Sequence, residues 1–517
     1  MNHWEVSLIF FMVVIGVASS LRSYYIAAVF EHARQSNVTE DTPEIIISKN
    51  LAYYKKATKE AKTKGADIIV FPEYGIFPPL ERNELKPYLE VIPDPKQVTT
   101  NPCNETEKYQ NRTILYTLSC MAQQNEIVVV ANMGAIQSCE GEDECPEDGS
   151  FHFNTNVVFD KNGTMLVRYY KERLFYEFGM DLPMQPQDFV FKTDFGIFAT
   201  FICFDFEFFK MTEVAQRKEL QIDAVAFSAM WGNSPPQRSS IQLWESWALG
   251  NNATLLAANI QLPGYLAVGS GLFSAADGPL AYTFDPDGTS KLVVATVPRR
   301  GYSSTLSPPN ASITKITLSS TEESHNDGSD IPSVCSWRVL GTAKDLYKDN
   351  RCHEPNMSNF SFVKLIDDSD HIKACFNGVC CSLKYSSNGM TENFYLIVYN
   401  GTIDYDYHSR YSLCEQTCTL ARCEPNGTNP CASFPLKTET LFYNVQLTAD
   451  FSTKHIYPSI VSSGMRLTPT NKWSHGVKEI SSDVYKGYIN FKSTSGETLV
   501  SAGLRGRCYD RDPPYIR

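Results

Sequence analysis

The chain lacks the features that would place it on nucleic acid or across a membrane. Its formal net charge is −12, with 46 Lys and Arg against 58 Asp and Glu. No cluster of basic residues interrupts that acidic balance, so the phosphate contacts of a nucleic-acid partner have no source. Beyond the first twenty residues no apolar run is long enough for a membrane-spanning helix. The segment from Arg505 to Arg517 is polar, so a glycolipid-attachment tail and a membrane anchor are not expected. There is no Gly-x-Ser-x-Gly, since Gly269-Ser270-Gly271 lacks the spacing, which sets a serine hydrolase aside. The signature of a papain-like cysteine protease is missing too. There is no internal repeat and no long low-complexity tract.

What is present points to export. Leu8 to Val17 is a short apolar run followed by the small residues Ala18-Ser19-Ser20. That pattern is a signal peptide over 1–20 with cleavage before Leu21, although its start carries His3 and no Lys or Arg. Acceptor triplets for N-glycosylation begin at Asn37, Asn104, Asn111, Asn162, Asn252, Asn310, Asn356, Asn359, Asn400 and Asn426. A secreted, extracellular, glycosylated protein is expected. The 15 cysteines divide unevenly. Cys103, Cys120, Cys139 and Cys145 form an even early group, and Cys335, Cys352, Cys375, Cys380, Cys381, Cys414, Cys418, Cys423, Cys431 and Cys508 an even late group. In an oxidising compartment both groups close on themselves. Cys203 is left between them, either buried and inert or reactive. Zinc at Cys414, Cys418, Cys423 and Cys431 fits on spacing alone, but disulfides suit an exported chain better, so no metal is expected.

With 517 residues, two domains are expected. Over 21–302 strand and helix signals alternate. Tyr24–Phe30 is of strand length. Thr42-Pro43-Glu44 starts a helix that Ile47, Leu51, Tyr54 and Ala61 continue and Gly65 closes. Further strands are expected at Ile68–Phe71, Ile127–Ala131, Val157–Asp160, Met165–Tyr170, Ile197–Phe204, Ala224–Ala229, Thr254–Ala258, Leu266–Phe273, Ala281–Phe284 and Lys291–Val297, with a helix around Leu243–Leu249. Lys161-Asn162-Gly163 joins two of them as a hairpin. This is an α/β pattern. Ser303–Pro332 has linker composition, and 333–517 reads as an all-β domain stapled by its cysteines, with strands such as Phe394–Tyr399 and Tyr488–Lys492.

Three reactive side chains stand where apolar strands run out: Glu73 after Phe71-Pro72, Lys171 after Arg168-Tyr169-Tyr170, and Cys203 after Phe201-Ile202. In α/β sheets, strand ends are where ligand sites form. Each residue alone has a dull explanation: a turn carboxylate, a solvated lysine, a buried apolar cysteine. Together they make a coherent nucleophilic mechanism. Tyr74, Asn132, Trp231 and Phe204 stand beside them, and for Tyr74, Asn132 and Trp231 core packing is the simpler role.

In these segments the chain resembles the nitrilase superfamily, in its vanin and biotinidase branch. The resemblance extends through Ala28-Val29-Phe30-Glu31-His32-Ala33, Tyr88 to Pro95, Val129-Val130-Ala131-Asn132 and Asn154 to Asp160. It continues late in the chain, at Cys375 to Cys381 and Cys418 to Cys423. It implies an αββα four-layer sandwich followed by a β-rich, disulfide-stapled base domain. It also implies an amidohydrolase in which Cys203 is the nucleophile, Glu73 the general base, and Lys171 with the backbone N–H of Phe204 the oxyanion site. The partner would be a small-molecule amide, with no cofactor. Pantetheine is the leading substrate and biotin amides the alternative. A catalytically inactive binding glycoprotein is the rival from another class. The loops Tyr74 to Pro79 and Met230 to Pro236 depart from the branch pattern, which leaves the acyl group open.

Overall fold

The computed structural model describes residues 22–142, 144–302, 310–318, 334–336, 357, 359–404, 411–426 and 429–514, with backbone alone at 334–336, 426, 429 and 432. The expected signal peptide, most of the expected linker, Cys352 and the side chain of Cys335 lie outside the described residues.

Two mixed sheets stack face to face in the first domain. One follows the order Ala311–Lys315, Lys291–Pro298, Tyr24–Glu31, Ile68–Val70, Val128–Ser138, Ser150–Phe159, Met165–Tyr170, with Leu89–Glu90 pairing off that path. The other runs Gly278–Thr283, Ser270–Ser274, Leu255–Asn259, Ala224–Ala229, Ile197–Ile202, Val190–Lys192. Side chains alternate across the pleat. Tyr25, Ala27 and Val29 therefore join the core shared with the second sheet. Ala28 and Phe30 face outward and pack with Ile47, Leu51 and Tyr54 of the helix Pro43–Thr63. Against the second sheet lies the helix Ser240–Asn251, whose Trp244 and Trp247 belong to the same buried cluster as Phe227 and Phe273. Helix, sheet, sheet and helix are the expected four layers.

Local signals are realised closely. The first helix has Thr42 at its N-cap and Pro43 in its first turn. The strand Met165–Tyr170 has its expected bounds. Gly163 closes the hairpin turn at φ 85°, and a Cβ there would come within 3.0 Å of the Ser119 carbonyl oxygen. Three strands are shorter than expected, Ile68–Val70 by one residue. Ile197–Ile202 stops before Cys203, where the chain turns into a 3-10 helix over Cys203–Glu207. Leu266 has φ 47°, so its strand begins only at Ser270. The stretch expected as a linker includes Ala311–Lys315, which is an edge strand paired antiparallel to Lys291–Ala295. Its alternating exposure fits a strand with one face against the sheet.

The second domain is built on a ten-stranded sheet in which the pairs are antiparallel. Its seam is Val484–Arg507, a strand of 24 residues. The first part of that strand pairs with Leu441–Phe451 and Trp473–Ser481, the last part with Ser412–Arg422 and Ile456–Ser462. The late cysteines form the pairs Cys375–Cys380, Cys381–Cys418, Cys414–Cys508 and Cys423–Cys431. The adjacent Cys380 and Cys381 thus take different partners, and the four cysteines with zinc-like spacing are all in disulfides. In the first domain Cys103 pairs with Cys120 and Cys139 with Cys145. Cys203 is free and buried.

The domains are docked closely. Gly250, near the end of the helix Ser240–Asn251, lies against the second domain, where a Cβ would meet Tyr457 Cδ1 at 2.6 Å and the Ile456 carbonyl oxygen at 2.9 Å. Gln242 Nε2 donates across the boundary to Ser459 Oγ at 3.1 Å. Of the acceptor asparagines, Asn37, Asn104, Asn111, Asn162, Asn252, Asn310 and Asn359 are exposed and Asn400 is half-buried. Asn356 and the side chain of Asn426 lie outside the described residues.

Candidate active site

Glu73, Lys171 and Cys203 come from three strand ends in two sheets, and the stacking of those sheets brings them to one cleft. Tyr74, Pro79, Phe175, Tyr176, Glu177, Met230, Tyr265 and Ala267 complete the lining. Glu73 is 2% exposed and fully hydrogen-bonded. Its Oε1 accepts from Lys171 Nζ at 2.7 Å and Asn154 Nδ2 at 2.8 Å, and its Oε2 accepts from the Met230 N–H at 3.0 Å.

Lys171 is shared with a second carboxylate that the sequence reading missed. Glu177 Oε1 accepts from Lys171 Nζ, and its Oε2 accepts from Tyr74 Oη at 2.8 Å and Asn154 Nδ2 at 2.6 Å. Burial opposes the lysine's charge, but Glu177 and Glu73 outweigh it and hold its pKa well above the ordinary value. Lys171 is therefore a permanent cation. Burial pushes Glu73 above the usual carboxylate range, Lys171 pulls it back, and the like charge of Glu177 pushes it up again. Burial likewise pushes the Cys203 thiol up, and Glu73 adds to this while Lys171 opposes it. The Lys171 charge acts to lower the thiol pKa, but it is divided between two carboxylates, and the net direction is upward. At rest Cys203 is a neutral thiol, and its deprotonation needs a base.

Three residues of the cleft lining have a left-handed backbone. Tyr74, Tyr176 and Cys203, all non-glycine, have φ of 52°, 54° and 42°. Such conformations persist only where the surroundings over-determine them, and they cluster at functional sites. Asp205 supplies part of that constraint, because its Oδ2 accepts from the Ile202 N–H at 3.1 Å and from Tyr169 Oη at 2.9 Å.

Of the four neighbours singled out from the sequence, Tyr74 alone lines the cleft with its side chain. Asn132 lies beneath it, accepting from the Tyr74 N–H at 3.0 Å and donating to Asn154 Oδ1 at 2.6 Å. Trp231 is turned into the core, with Nε1 donating to the Arg238 carbonyl at 3.0 Å, and its neighbour Met230 faces the cleft instead. The Phe204 ring is not part of the lining and packs behind it, against Phe175, Phe208 and Tyr411. Glu177 sits in an irregular loop six residues after Lys171, with no periodicity to single it out. Asn154 and Asn156 alternate on the strand Ser150–Phe159, and that polar pair inside an apolar strand was the available signal.

Residues 41–259 match the family described as carbon-nitrogen hydrolase, and residues 350–512 match the vanin C-terminal domain. The chain is 31% identical over 512 residues to the biotinidase of Bos taurus, covering 95% of this chain and 93% of that protein. It is 31% identical over 521 residues to the pantetheinase of Bos taurus, covering 98% and 93%. Against the biotinidase of Takifugu rubripes the identity is 31% over 524 residues, covering 97% and 98%.

Proposed function

Since the chain belongs to the carbon-nitrogen hydrolase family, in the branch of the biotinidases and pantetheinases, and is an amide-cleaving hydrolase, we propose that it cleaves pantetheine to pantothenate and cysteamine through a thioester on Cys203. The observation that carries this is the lone free cysteine among the described residues, opening on the same cleft as the Glu73–Lys171–Glu177 group.

The steps balance on these residues. Glu73 takes the thiol proton as Cys203 Sγ bonds to the amide carbon. The carbonyl oxygen, now negative, is met by the Lys171 ammonium and the backbone N–H of Phe204. Protonated Glu73 passes its proton to the amine nitrogen, the carbon–nitrogen bond breaks, and the amine leaves. Glu73 then deprotonates a water that attacks the thioester, which releases the acid and restores the thiol.

The cleft supports an uncharged substrate. Its acidic and basic lining residues, Glu73, Lys171 and Glu177, are paired with one another. The rest of the lining is aromatic and apolar, so a neutral amide such as pantetheine enters without a charge being stranded away from water. Biotin amides are the second reading, because biotinidases and pantetheinases match the chain equally well. The six disulfides among the described residues support a secreted product, and the exposed acceptor asparagines support a glycosylated one.

The test is release of cysteamine from pantetheine, followed with a thiol reagent on purified protein, with Cys203→Ala as the inactive control. If biotin amides are cut and pantetheine is inert, the mechanism stands and the substrate is wrong. Full activity in Cys203→Ala removes the mechanism itself.

A further inference from the structure

The turn that carries Cys203 is gripped from the other domain. It runs as a 3-10 helix from Cys203 to Glu207. Its first half is fixed within its own domain by Asp205. Its last residue, Glu207, is 1% exposed, and its carboxylate Oε2 accepts from Arg505 Nη2 at 2.6 Å. Arg505 lies near the end of the strand Val484–Arg507 and also donates to Glu415 Oε2 at 2.9 Å. Two residues on, Arg507 Nη2 donates to the backbone carbonyl of Glu207 at 2.9 Å and to Asp512 Oδ2 at 2.8 Å. Cys508, the next residue, is bonded to Cys414, whose carbonyl accepts from Arg507 Nη1. On the other side of the turn, the Phe204 ring is held by Tyr411 of the second domain at 5.0 Å and by Phe175, a cleft residue, at 4.8 Å.

Charge is a costly way to glue two domains. Arg505, Arg507, Glu207 and Glu415 are 3%, 1%, 1% and 4% exposed. Desolvating such groups costs several kcal/mol per ion, on the order of what their attraction returns, and apolar side chains of similar volume dock as well or better. What the pairs add is direction. A guanidinium fixes a carboxylate and a carbonyl in angle as well as distance. The element so fixed begins at a cysteine with φ 42°, a conformation that needs outside constraint.

We propose that Arg505, assisted by Arg507, is a positioning residue for the nucleophile: the second domain holds Glu207 and so sets where the Cys203 thiol and the Phe204 N–H stand against Glu73 and Lys171. This rests on the reading of Cys203 as the nucleophile. A displacement of the turn by about 1 Å is enough to cost about 10²-fold in the chemical step.

The test uses the full-length protein. Arg505→Gln removes the grip, and the double variant Arg505→Met with Glu207→Leu removes both members of the pair, so that Glu207 is not left as a buried charge without Arg505. Two quantities are read per folded molecule: kcat and KM on pantetheine, and the rate at which iodoacetamide alkylates Cys203. We expect kcat to fall by about 10²-fold, KM to stay within about twofold, and alkylation to slow, in the double variant as in the single one. If Arg505→Gln does not fold, the double variant carries the test alone. A merely structural pair lowers yield and Tm but leaves kcat and the alkylation rate per folded molecule unchanged, and that result overturns the proposal. Failure of wild-type Cys203 to react at all overturns the nucleophile reading beneath it, so the two failures are distinguishable.

Discussion

Lys171 stands between two carboxylates, and the second of them tunes the first. Glu177 raises the pKa of Glu73 through like charge and raises that of Lys171 through opposite charge. With Glu73 acting as a base, activity grows as pH rises through the elevated Glu73 pKa. Glu177→Gln removes the like charge, so the Glu73 pKa falls and the acidic limb of kcat/KM moves to lower pH. The Lys171 pKa falls with it. A pH–rate profile of wild type against variant checks this, and a limb moving upward removes Glu177 as a neighbour of the base. Glu73→Gln removes the base itself and costs about 10²–10⁴-fold in kcat. The three residues read as a triad were legible because each ends an apolar strand, and strand ends can be seen in a sequence. Glu177 was not, because a loop carboxylate has no pattern and only the fold returns it to Lys171. Trp231 took the simpler of its two roles and packs in the core; which of two adjacent side chains faces the cleft depends on the turn after Ala229, and there it is Met230.

Among the elements, the helix Ser240–Asn251 is buried nearly all round, because one side packs on a sheet and the other on the second domain. A helix in that position shows little amphipathic periodicity, so a short helical stretch was legible from Leu243 to Leu249 but its surroundings were not. It also carries Glu245, fully buried, whose carboxylate oxygens have no hydrogen-bond partner among the described residues. Burial alone raises its pKa from 4.5 to about 8. The folded state then holds a proton that the unfolded state releases between those values. The contribution of Glu245 to stability is accordingly greatest below pH 4.5 and declines as pH rises to about 8, by about 1.4 kcal/mol per pH unit for one proton. Glu245→Gln should remove that one-proton slope from the difference between the two proteins, measured by denaturant unfolding across the window. Equal slopes would mean that Glu245 finds a partner. At Cys203 the strand ended two residues early for a reason that hydrophobicity does not encode. Cys-Phe is as apolar as the strand before it, and only the left-handed φ at Cys203 ends it.

At the scale of the whole molecule, the composition change after residue 302 made two architectures legible but not how closely they join. Domains of one chain usually meet through modest polar interfaces and move independently. Here the apolar cores merge. Tyr457 and Leu467 sit in the cluster built by the first domain's sheets, and Leu266 and Val268 sit with Leu436, Val461 and Val500. Thermal unfolding followed by calorimetry should therefore show one transition for both domains, and two resolved transitions would contradict the merged core. The long seam strand has a consequence for biosynthesis. A ribosome delivers a chain in order, and Val484–Arg507 emerges after each of the four strands it pairs with in the second domain. That sheet cannot close co-translationally, and its partners wait with open edges until the seam arrives. The same late segment brings Arg505 to Glu207. A nascent chain cut short by premature termination would lack both the closure of its sheet and the alignment of its thiol, so synthesis to the seam is a condition for folding and for catalysis alike.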